Sequence, residues 1–227
     1  MWLVSGKPEI AQLFNLKFFL YLCWFGFGSS PHFQASERCA TFEMTLEIEK
    51  YQIELIDESD FNPDSNDNLN KYLKNYLTES DFKIPTKIGI KILENGTEIN
   101  SVIIGAEGGA TGLHKTSQII ESNRILLCCC DSVFCLDLPT LNLIWKTKVD
   151  LITAFEIFKI ENGYIIHGEL EITRIDNYGK IIWQNGGTDI FVTQNGNNDF
   201  EVQDNFVKAI DWDNRIYKWN LNGVEIK

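Results

Sequence analysis

The stretch Val133-Phe-Cys-Leu-Asp-Leu-Pro-Thr-Leu-Asn-Leu-Ile-Trp145 recurs in altered form as Ile172-Thr-Arg-Ile-Asp-Asn-Tyr-Gly-Lys-Ile-Ile-Trp183. In both copies apolar residues alternate with others, an Asp and a turn follow, and the copy ends on an aliphatic residue and a Trp. Alternation with a period of two predicts β-strands, and the turn between them predicts a hairpin. The sequence is therefore expected to fold as repeated pairs of strands.

Two further copies extend the repeat. Ile216-Tyr-Lys-Trp-Asn-Leu-Asn-Gly-Val-Glu-Ile226 has its turn glycine, Gly223, 44 positions after Gly179. The weaker copy Ile90-Lys-Ile-Leu-Glu-Asn-Gly-Thr-Glu-Ile99 turns at Asn95-Gly96, a strong hairpin signal. A pair of short apolar segments precedes each full copy: Gln118–Ile120 with Ile125–Cys129, Phe155–Ile160 with Tyr164–His167, and Asp189–Thr193 with Asn205–Ile210. Each unit thus holds four strands in roughly 40 residues, the size of one propeller blade.

Two stretches, Ser132–Lys148 and Leu170–Trp183, resemble the quinoprotein-type (PQQ-like) β-propeller repeat. By this resemblance, which covers roughly residues 88–227, Trp145 and Trp183 pack between neighbouring blades. The resemblance also implies that Leu136 and Ile175 lie in the core of the repeat, whereas Trp212 and Trp219 match the pattern less well. It does not imply quinone binding, because nothing in the chain matches the ligands of the quinoprotein dehydrogenases.

The number of blades is left open by three full units and one hairpin. Either the first strand and the Ile88–Ile104 region complete a fourth blade, which we favour, or the sheets form an open stack whose ends are covered by residues 44–80. An uncovered sheet edge would invite association with other chains. The expected fold class is mainly all-β, with antiparallel four-stranded blades in a small or incomplete β-propeller-like arrangement.

The N-terminal part of the chain is expected to differ from the rest. Residues 1–43 are interpreted as a leader or upstream extension outside the fold, with a signal peptide or anchor around the apolar stretch 18–27 as the alternative. Residues 44–87 are expected to contain a strand over Leu46–Leu55, an acidic loop and one amphipathic helix near residues 67–79. The helix prediction rests on an i, i+3, i+4 apolar stripe and on Asn66 or Asp67 as the N-cap. The stripe consists of Leu69, Tyr72, Leu73, Tyr76 and Leu77. Residues 88–227 are expected to form the repeat domain.

The chain is acidic: 227 residues carry 32 acidic and 20 basic side chains, for a formal net charge of -12. This balance disfavours binding to nucleic acid or to anionic membranes. Three consecutive cysteines, Cys128–Cys130, are predicted to be small buried side chains in a reducing, cytoplasmic compartment, unless residues 1–30 act as a signal for export. A turn at Asp131-Ser132 would place Cys128 opposite Cys135. There is no CxxC pair, so neither a metal site nor a cofactor is predicted.

The Gly105–Gly112 segment is the best candidate for a ligand loop. It is not a phosphate-binding P-loop, because Leu113 and His114 separate its last glycine from Lys115. The favoured interpretation is a crossing where backbone approaches backbone; the alternative is a small-molecule site with Glu169 nearby. The candidate ligand-binding residues are Gly108, Gly109, Thr111, His114 and Lys115. His167 is interpreted as a buried, hydrogen-bonded histidine.

Two functions compete. The first is a non-catalytic protein-interaction module with an unknown protein partner, favoured because the sequence contains no recognisable catalytic motif. The second is a small-molecule binder or hydrolase that uses the Gly105–Gly112 loop. The second hypothesis predicts a concave polar pocket where the loop, His114, Lys115 and Glu169 converge. Function must be inferred from such a site rather than from the fold.

Overall fold

The computed structural model describes residues 43–81, 83–121, 123–194 and 200–226. Within these ranges the chain forms sixteen β-strands in four sheets and no helix, so the predicted all-β class is confirmed. None of the described residues forms a helix long and apolar enough to cross a membrane. Residues 1–42 of the predicted leader lie outside the described ranges, whereas residue 43, the last of that segment, begins the first strand.

The first sheet has five strands. It contains β1 (Glu43–Ile48), β2 (Tyr51–Asp57), β3 (Lys74–Leu77), β4 (Lys87–Glu94) and β5 (Thr97–Gly105). Their order across the sheet is β1-β2-β4-β5-β3, and only β3 runs parallel to its neighbour. The predicted Asn95-Gly96 turn joins β4 to β5, and both residues have the positive φ that a tight hairpin requires. The strands in the predicted first-strand region and in Ile88–Ile104 therefore lie in one sheet, with β3 as its fifth strand.

The other three sheets are antiparallel meanders in chain order. The second contains β6 (Gln118–Glu121), β7 (Arg124–Cys129), β8 (Ser132–Asp137) and β9 (Leu143–Lys148). The third contains β10 (Ala154–Ile160), β11 (Gly163–Gly168), β12 (Glu171–Ile175) and β13 (Ile181–Gly186). The fourth contains β14 (Glu201–Val202), β15 (Phe206–Ile210) and β16 (Ile216–Asn220). Beyond β16, Ile226 donates a hydrogen bond to the Lys218 carbonyl.

Apolar clusters join each sheet to the next in the chain. The first cluster combines side chains of the first and second sheets, such as Ile90 and Phe134. The neighbouring residues Ile165 and Ile166 on β11 show how the alternation is used: Ile166 belongs to the cluster shared with the second sheet, and Ile165 to the cluster shared with the fourth. A strand whose successive side chains point to opposite faces can thus pack against two sheets. This accounts for the long apolar runs in the central strands.

The predicted blade tryptophans lie where two sheets meet. Trp145 contacts Gly179, whose φ is +80° and whose added Cβ would lie 2.6 Å from the indole ring. Trp183 contacts Gly223 in the same way, at 2.7 Å, and its Nε1 donates a 2.9 Å hydrogen bond to the Leu221 carbonyl. We call these two contacts the tryptophan seams. Each seam needs a glycine, because the turn has a left-handed backbone and the indole occupies the space of a side chain.

The remaining core predictions are also placed by the structure. Leu136 and Ile175 are fully buried, in the first and second clusters respectively. Trp219 lies in the third cluster, whereas Trp212 is exposed. The corresponding turn of the second sheet carries Leu141, with a φ of 55°, and its buried side chain packs into the first cluster.

The predicted helix over residues 67–79 is wrong. Leu69 and Leu73 of the apolar stripe are exposed, and residues 74–77 form β3, which pairs with β5. Tyr72 donates a hydrogen bond to Glu58. The edge of β5 offers backbone groups that a strand satisfies and a helix cannot, so pairing overrides the local periodicity.

Three strand predictions also need correction. The predicted strand over Leu46–Leu55 is the hairpin of β1 and β2. The predicted strand over Asp189–Thr193 is not a strand, because its backbone bonds to loops of other sheets instead, for example from Phe191 N to the Glu169 carbonyl. The loop predicted around Asn195 lies outside the described ranges.

The third correction concerns the cysteine hairpin. Its turn residues are Cys130 and Asp131, one position earlier than predicted, so Cys128 lies opposite Val133 and Cys135 lies opposite Leu126. The positive φ of Cys130, 55°, sets the turn at this position.

Candidate functional site

Loops from all four sheets lie at one end of their strands. In an antiparallel meander alternate connections lie at the same end, so the links after β5, β7, β9, β11, β13 and β15 share one end of their sheets. We call this surface the loop face; it comprises residues 106–112, 130–131, 149–153, 169–170, 187–191 and 211–215. Backbone hydrogen bonds join these loops in series. They run from Asp131 N to Glu107 O, Gly109 N to Ile152 O, Glu169 N to Thr153 O, Phe191 N to Glu169 O and Trp212 N to Ile190 O, all between 2.7 and 3.0 Å.

Asp150 fixes the centre of the loop face. Its carboxylate is buried and accepts four backbone N–H groups. Oδ1 accepts from Ile152 and Thr153 at 2.6 and 3.0 Å, and Oδ2 accepts from Leu170 and Glu171 at 3.0 and 2.8 Å. Charge-assisted hydrogen bonds of this kind are among the stronger ones in proteins. One side chain thus holds the loop after β9 against the turn after β11.

The glycines of the candidate ligand loop make close backbone contacts. Gly108 has a φ of 111°, and a Cβ there would overlap the Ile152 carbonyl. Gly109 donates its N–H to that carbonyl, and a Cβ there would overlap Thr153. The glycines therefore let residues 106–112 lie directly on the loop that Asp150 holds. These contacts are those expected of a backbone crossing.

Large apolar side chains project from this fixed backbone. Leu151 is 62% exposed, Ile152 38% and Trp212 41%. Trp212 follows β15 and its N–H is bonded to the loop after β13, while Leu151 and Ile152 lie in the loop after β9. Exposed apolar groups on an ordered backbone are typical of recognition surfaces.

A depression of about 330 Å³ lies beside the glycine loop. The residues that line it come from the segment before β4 and from the start of the loop face. They are Ser80, Lys83, Ile84, Pro85, Glu107 and Gly108. Of the five candidate ligand-binding residues, only Gly108 is among these.

The other candidate residues lie apart from the depression. Thr111 is buried, and its hydroxyl donates to the Ala154 carbonyl at 3.0 Å. Lys115 is exposed. Glu169 accepts a 2.7 Å hydrogen bond from Thr153 Oγ1, so it contacts the same loop as Gly109. The structure thus brings Gly108, Gly109 and Glu169 to one loop, and it places His114 elsewhere.

His114 and His167 belong to one chain of polar contacts, partly buried at His114 and buried at His167. His114 Nδ1 lies 3.1 Å from Thr116 Oγ1, and Thr116 donates to Glu156 Oε1 at 2.6 Å. Glu156 Oε2 lies 2.9 Å from His167 Nδ1, and His167 Nε2 lies 3.0 Å from the Phe191 carbonyl. Since the carbonyl can only accept, Nε2 carries a proton and donates it to Phe191. This chain of contacts links the segment before β6 to the third sheet and to the segment that leads to the fourth.

Similarity to known proteins was found only among solved structures, at low sequence identity. No family model matches the chain, and no curated protein sequence matches it. Solved structures similar to it include the AfRom2 CNH domain, at 10% identity and a TM-score of 0.45 over 82% of this chain and 53% of that one. The WD40 β-propeller domain of Doa1 is similar at 12% identity and a TM-score of 0.39, over 60% of this chain and 47% of that one. Apo AztD from Citrobacter koseri is similar at 12% identity and a TM-score of 0.38, over 82% of this chain and 57% of that one.

The chain therefore spans about half the length of the first two structures. Among the similar structures is a WD40 β-propeller, whereas the PQQ-like character of the repeat stays a prediction.

The apolar residues of the loop face were not predicted as a site. Leu151 and Ile152 are aliphatic, so composition alone suggests that they are buried. Their position in the repeat is the signal that could have identified them. The pair lies between the outer strand of one repeat and the first strand of the next, outside the alternation of apolar and polar residues in either strand.

Proposed function

We propose that this protein is a non-catalytic interaction module that binds a protein partner through its loop face. The observation that carries the proposal is the exposure of Leu151, Ile152 and Trp212 on loops that come from different sheets yet are tied together by backbone hydrogen bonds. Large apolar side chains on such a surface gain most when a partner covers them.

Rigidity supports this assignment. Asp150 holds the loop that carries Leu151 and Ile152 through two hydrogen bonds, and it holds the adjoining turn through two more. A preformed surface loses less conformational entropy on binding than a flexible one. The loop face thus meets the requirement that anchor residues be presented in a fixed position.

Charge indicates the chemistry of the partner. Lys148, beside the loop face, is paired with Asp131, and Arg215, within it, is paired with Asp213, each at 2.8 Å. Glu107 on the same face is exposed, and the whole chain has a net charge of -12. A partner with apolar anchors and a basic rim would complement this surface.

The test compares two double variants of the full chain. L151S/I152S removes apolar surface from the loop face, and I181S/I182S removes apolar side chains of 37% and 50% exposure from the outer strand β13. Tagged proteins are incubated with native lysate, and captured proteins are quantified by mass spectrometry. The proposal predicts that L151S/I152S captures at least tenfold less of the proteins that wild type captures. I181S/I182S should capture them in the same amounts as wild type. Equal capture by both variants, or no specific capture by wild type, would contradict it.

A further inference from the structure

The three consecutive cysteines do not follow the alternation of a strand. Cys128 lies in the cluster between the second and third sheets, and Cys129 lies in the cluster between the first and second, as alternation requires. Cys130 should return to the side of Cys128. Its φ of 55° turns the chain instead, and Cys130 joins Cys129 in the first cluster.

Both thiols of this pair contact the same backbone carbonyl oxygen, that of Thr86. Cys129 Sγ lies 3.7 Å from the Thr86 carbonyl oxygen, and Cys130 Sγ lies 3.5 Å from the same oxygen. All four cysteines in the described ranges are free thiols. The turn therefore converts two neighbouring residues into a vicinal dithiol with both sulfurs on one side.

We infer that Cys129 and Cys130 form a binding site for a thiophilic ligand that bridges two sulfurs, of the trivalent arsenical class. Soft sulfur donors select soft centres. A trivalent organoarsenical bound by two thiolates is uncharged, which suits a site surrounded by apolar side chains such as Ile84 and Leu136. A bis-thiolate complex of a monovalent cation would instead leave a negative charge beside Asp131.

The protonation of the pair favours reaction. The hydrogen bond with the Cys129 thiol, against the opposing effect of burial, lowers the pKa of Cys130 to about 7. The same hydrogen bond raises the pKa of Cys129, which keeps its proton. Burial raises the pKa of Cys128 as well, so Cys130 is the nucleophile of the three at neutral pH.

The depression beside the glycine loop lies across the 84–86 backbone from the two buried thiols. Thr86, whose carbonyl both thiols contact, directly follows Pro85 in the lining of the depression. Ile84 lines the depression and also packs in the cluster that contains the two cysteines. On the other side, Glu107 lines the depression and accepts the Asp131 N–H of the cysteine turn. A ligand in the depression is thus separated from the sulfurs by the 84–86 backbone.

The probe is phenylarsine oxide. Two thiols add to the arsenic, two As–S bonds replace the As–O bond, and the oxygen leaves as water with the two thiol protons; arsenic stays trivalent. The native full chain is treated with one equivalent, then unfolded, and its free thiols are alkylated and mapped by mass spectrometry. The inference predicts one adduct that protects Cys129 and Cys130 but not Cys128 or Cys135.

Variants separate this site from the remaining cysteines. C129A and C130A are expected to lose the adduct, whereas the matched variant C128A, also fully buried, keeps it. An excess of a dithiol should remove the adduct, and an equal excess of a monothiol should not. No adduct on the native protein, or an adduct that persists in both C129A and C130A, would overturn the inference. The protection map is read on wild type, so the test does not depend on the stability of the variants.

Discussion

The Trp145 indole ring lies against Gly179, a residue of the neighbouring sheet whose φ is +80° and whose added Cβ would lie 2.6 Å from the ring. Trp183 and Gly223 repeat this contact one sheet further along the chain. The relationship explains why the repeat pairs a tryptophan in one copy with a turn glycine in the next. It also makes the seam testable, because Gly96 has a similar φ but no atom within 4 Å of an added Cβ.

Alanine at Gly179 is expected to destabilise the fold more than alanine at Gly96. Gly96 has a φ of +77° with no atom within 4 Å of an added Cβ, so G96A measures the backbone cost alone, about 1–2 kcal/mol. G179A adds a clash with Trp145, worth about 1–3 kcal/mol more. Urea unfolding of both variants gives the difference. Equal losses would mean that the indole does not occupy this position.

The two tryptophan seams differ in one hydrogen bond. Trp183 Nε1 donates to the Leu221 carbonyl, whereas Trp145 Nε1 is buried without a partner among the described residues. Phenylalanine at Trp183 removes one of the two donors to the Leu221 carbonyl, which also accepts from Arg174 Nη1. Phenylalanine at Trp145 instead removes an unsatisfied group. W183F should therefore lower the free energy of unfolding by about 1 kcal/mol more than W145F. A larger loss for W145F in chemical denaturation would contradict the assigned partners.

Asp150 is expected to support the loop face through both carboxylate oxygens. In D150N only one oxygen can accept, so two buried N–H groups lose their partner, at a cost of about 2–4 kcal/mol. Asp176 is the matched control, because its Oδ1 alone accepts from Tyr178 and Lys180, and D176N keeps that oxygen. Thermal and urea unfolding should show a small change for D176N. If D150N were equally mild, the four hydrogen bonds would not stabilise this loop.

Asp211 is expected to make stability depend on acid pH. Burial alone would raise its pKa, but hydrogen bonds from Arg215 and Tyr217 outweigh this effect and lower the pKa of Asp211. A lowered pKa in the folded state means that the stabilisation is complete above the unfolded value near 3.9 and is lost as the pH falls through the folded value.

D211N should therefore be less stable than wild type at pH 7, by about 1–3 kcal/mol, with a difference that shrinks below about pH 4. Denaturant titrations at pH 7, 5, 4 and 3 measure this. D213N serves as the control, since Asp213 forms only an exposed pair with Arg215 and should show little effect. A difference between wild type and D211N that grows on acidification would reverse the assigned sign.

The local parts of the fold could be predicted from the sequence. The Asn95-Gly96 turn and the strands around Val133 and Ile172 depend on alternation and turn residues, which a short window contains. The contact of Trp145 with a neighbouring sheet could be predicted from the repeat, because a repeated unit must bury its apolar face against the next unit.

The errors come from long-range contacts. The stripe from Leu69 to Leu77 has helical spacing. However, each paired residue of β5 lies 28 positions after its partner in β3, and no local pattern indicates that pairing. The position of the cysteine turn depended on one residue, Cys130, adopting a left-handed backbone. The loop face combines six separate loops, so its composition follows from topology rather than from any motif.

Hydrogen–deuterium exchange of the full chain with and without a captured partner tests the central claim most directly. If the loop face is the binding surface, the partner should slow exchange in residues 106–112, 149–153 and 211–215, while the outer strand β13 exchanges as in the free protein. Protection confined to β13 or β9, with the loop face unchanged, would contradict the account.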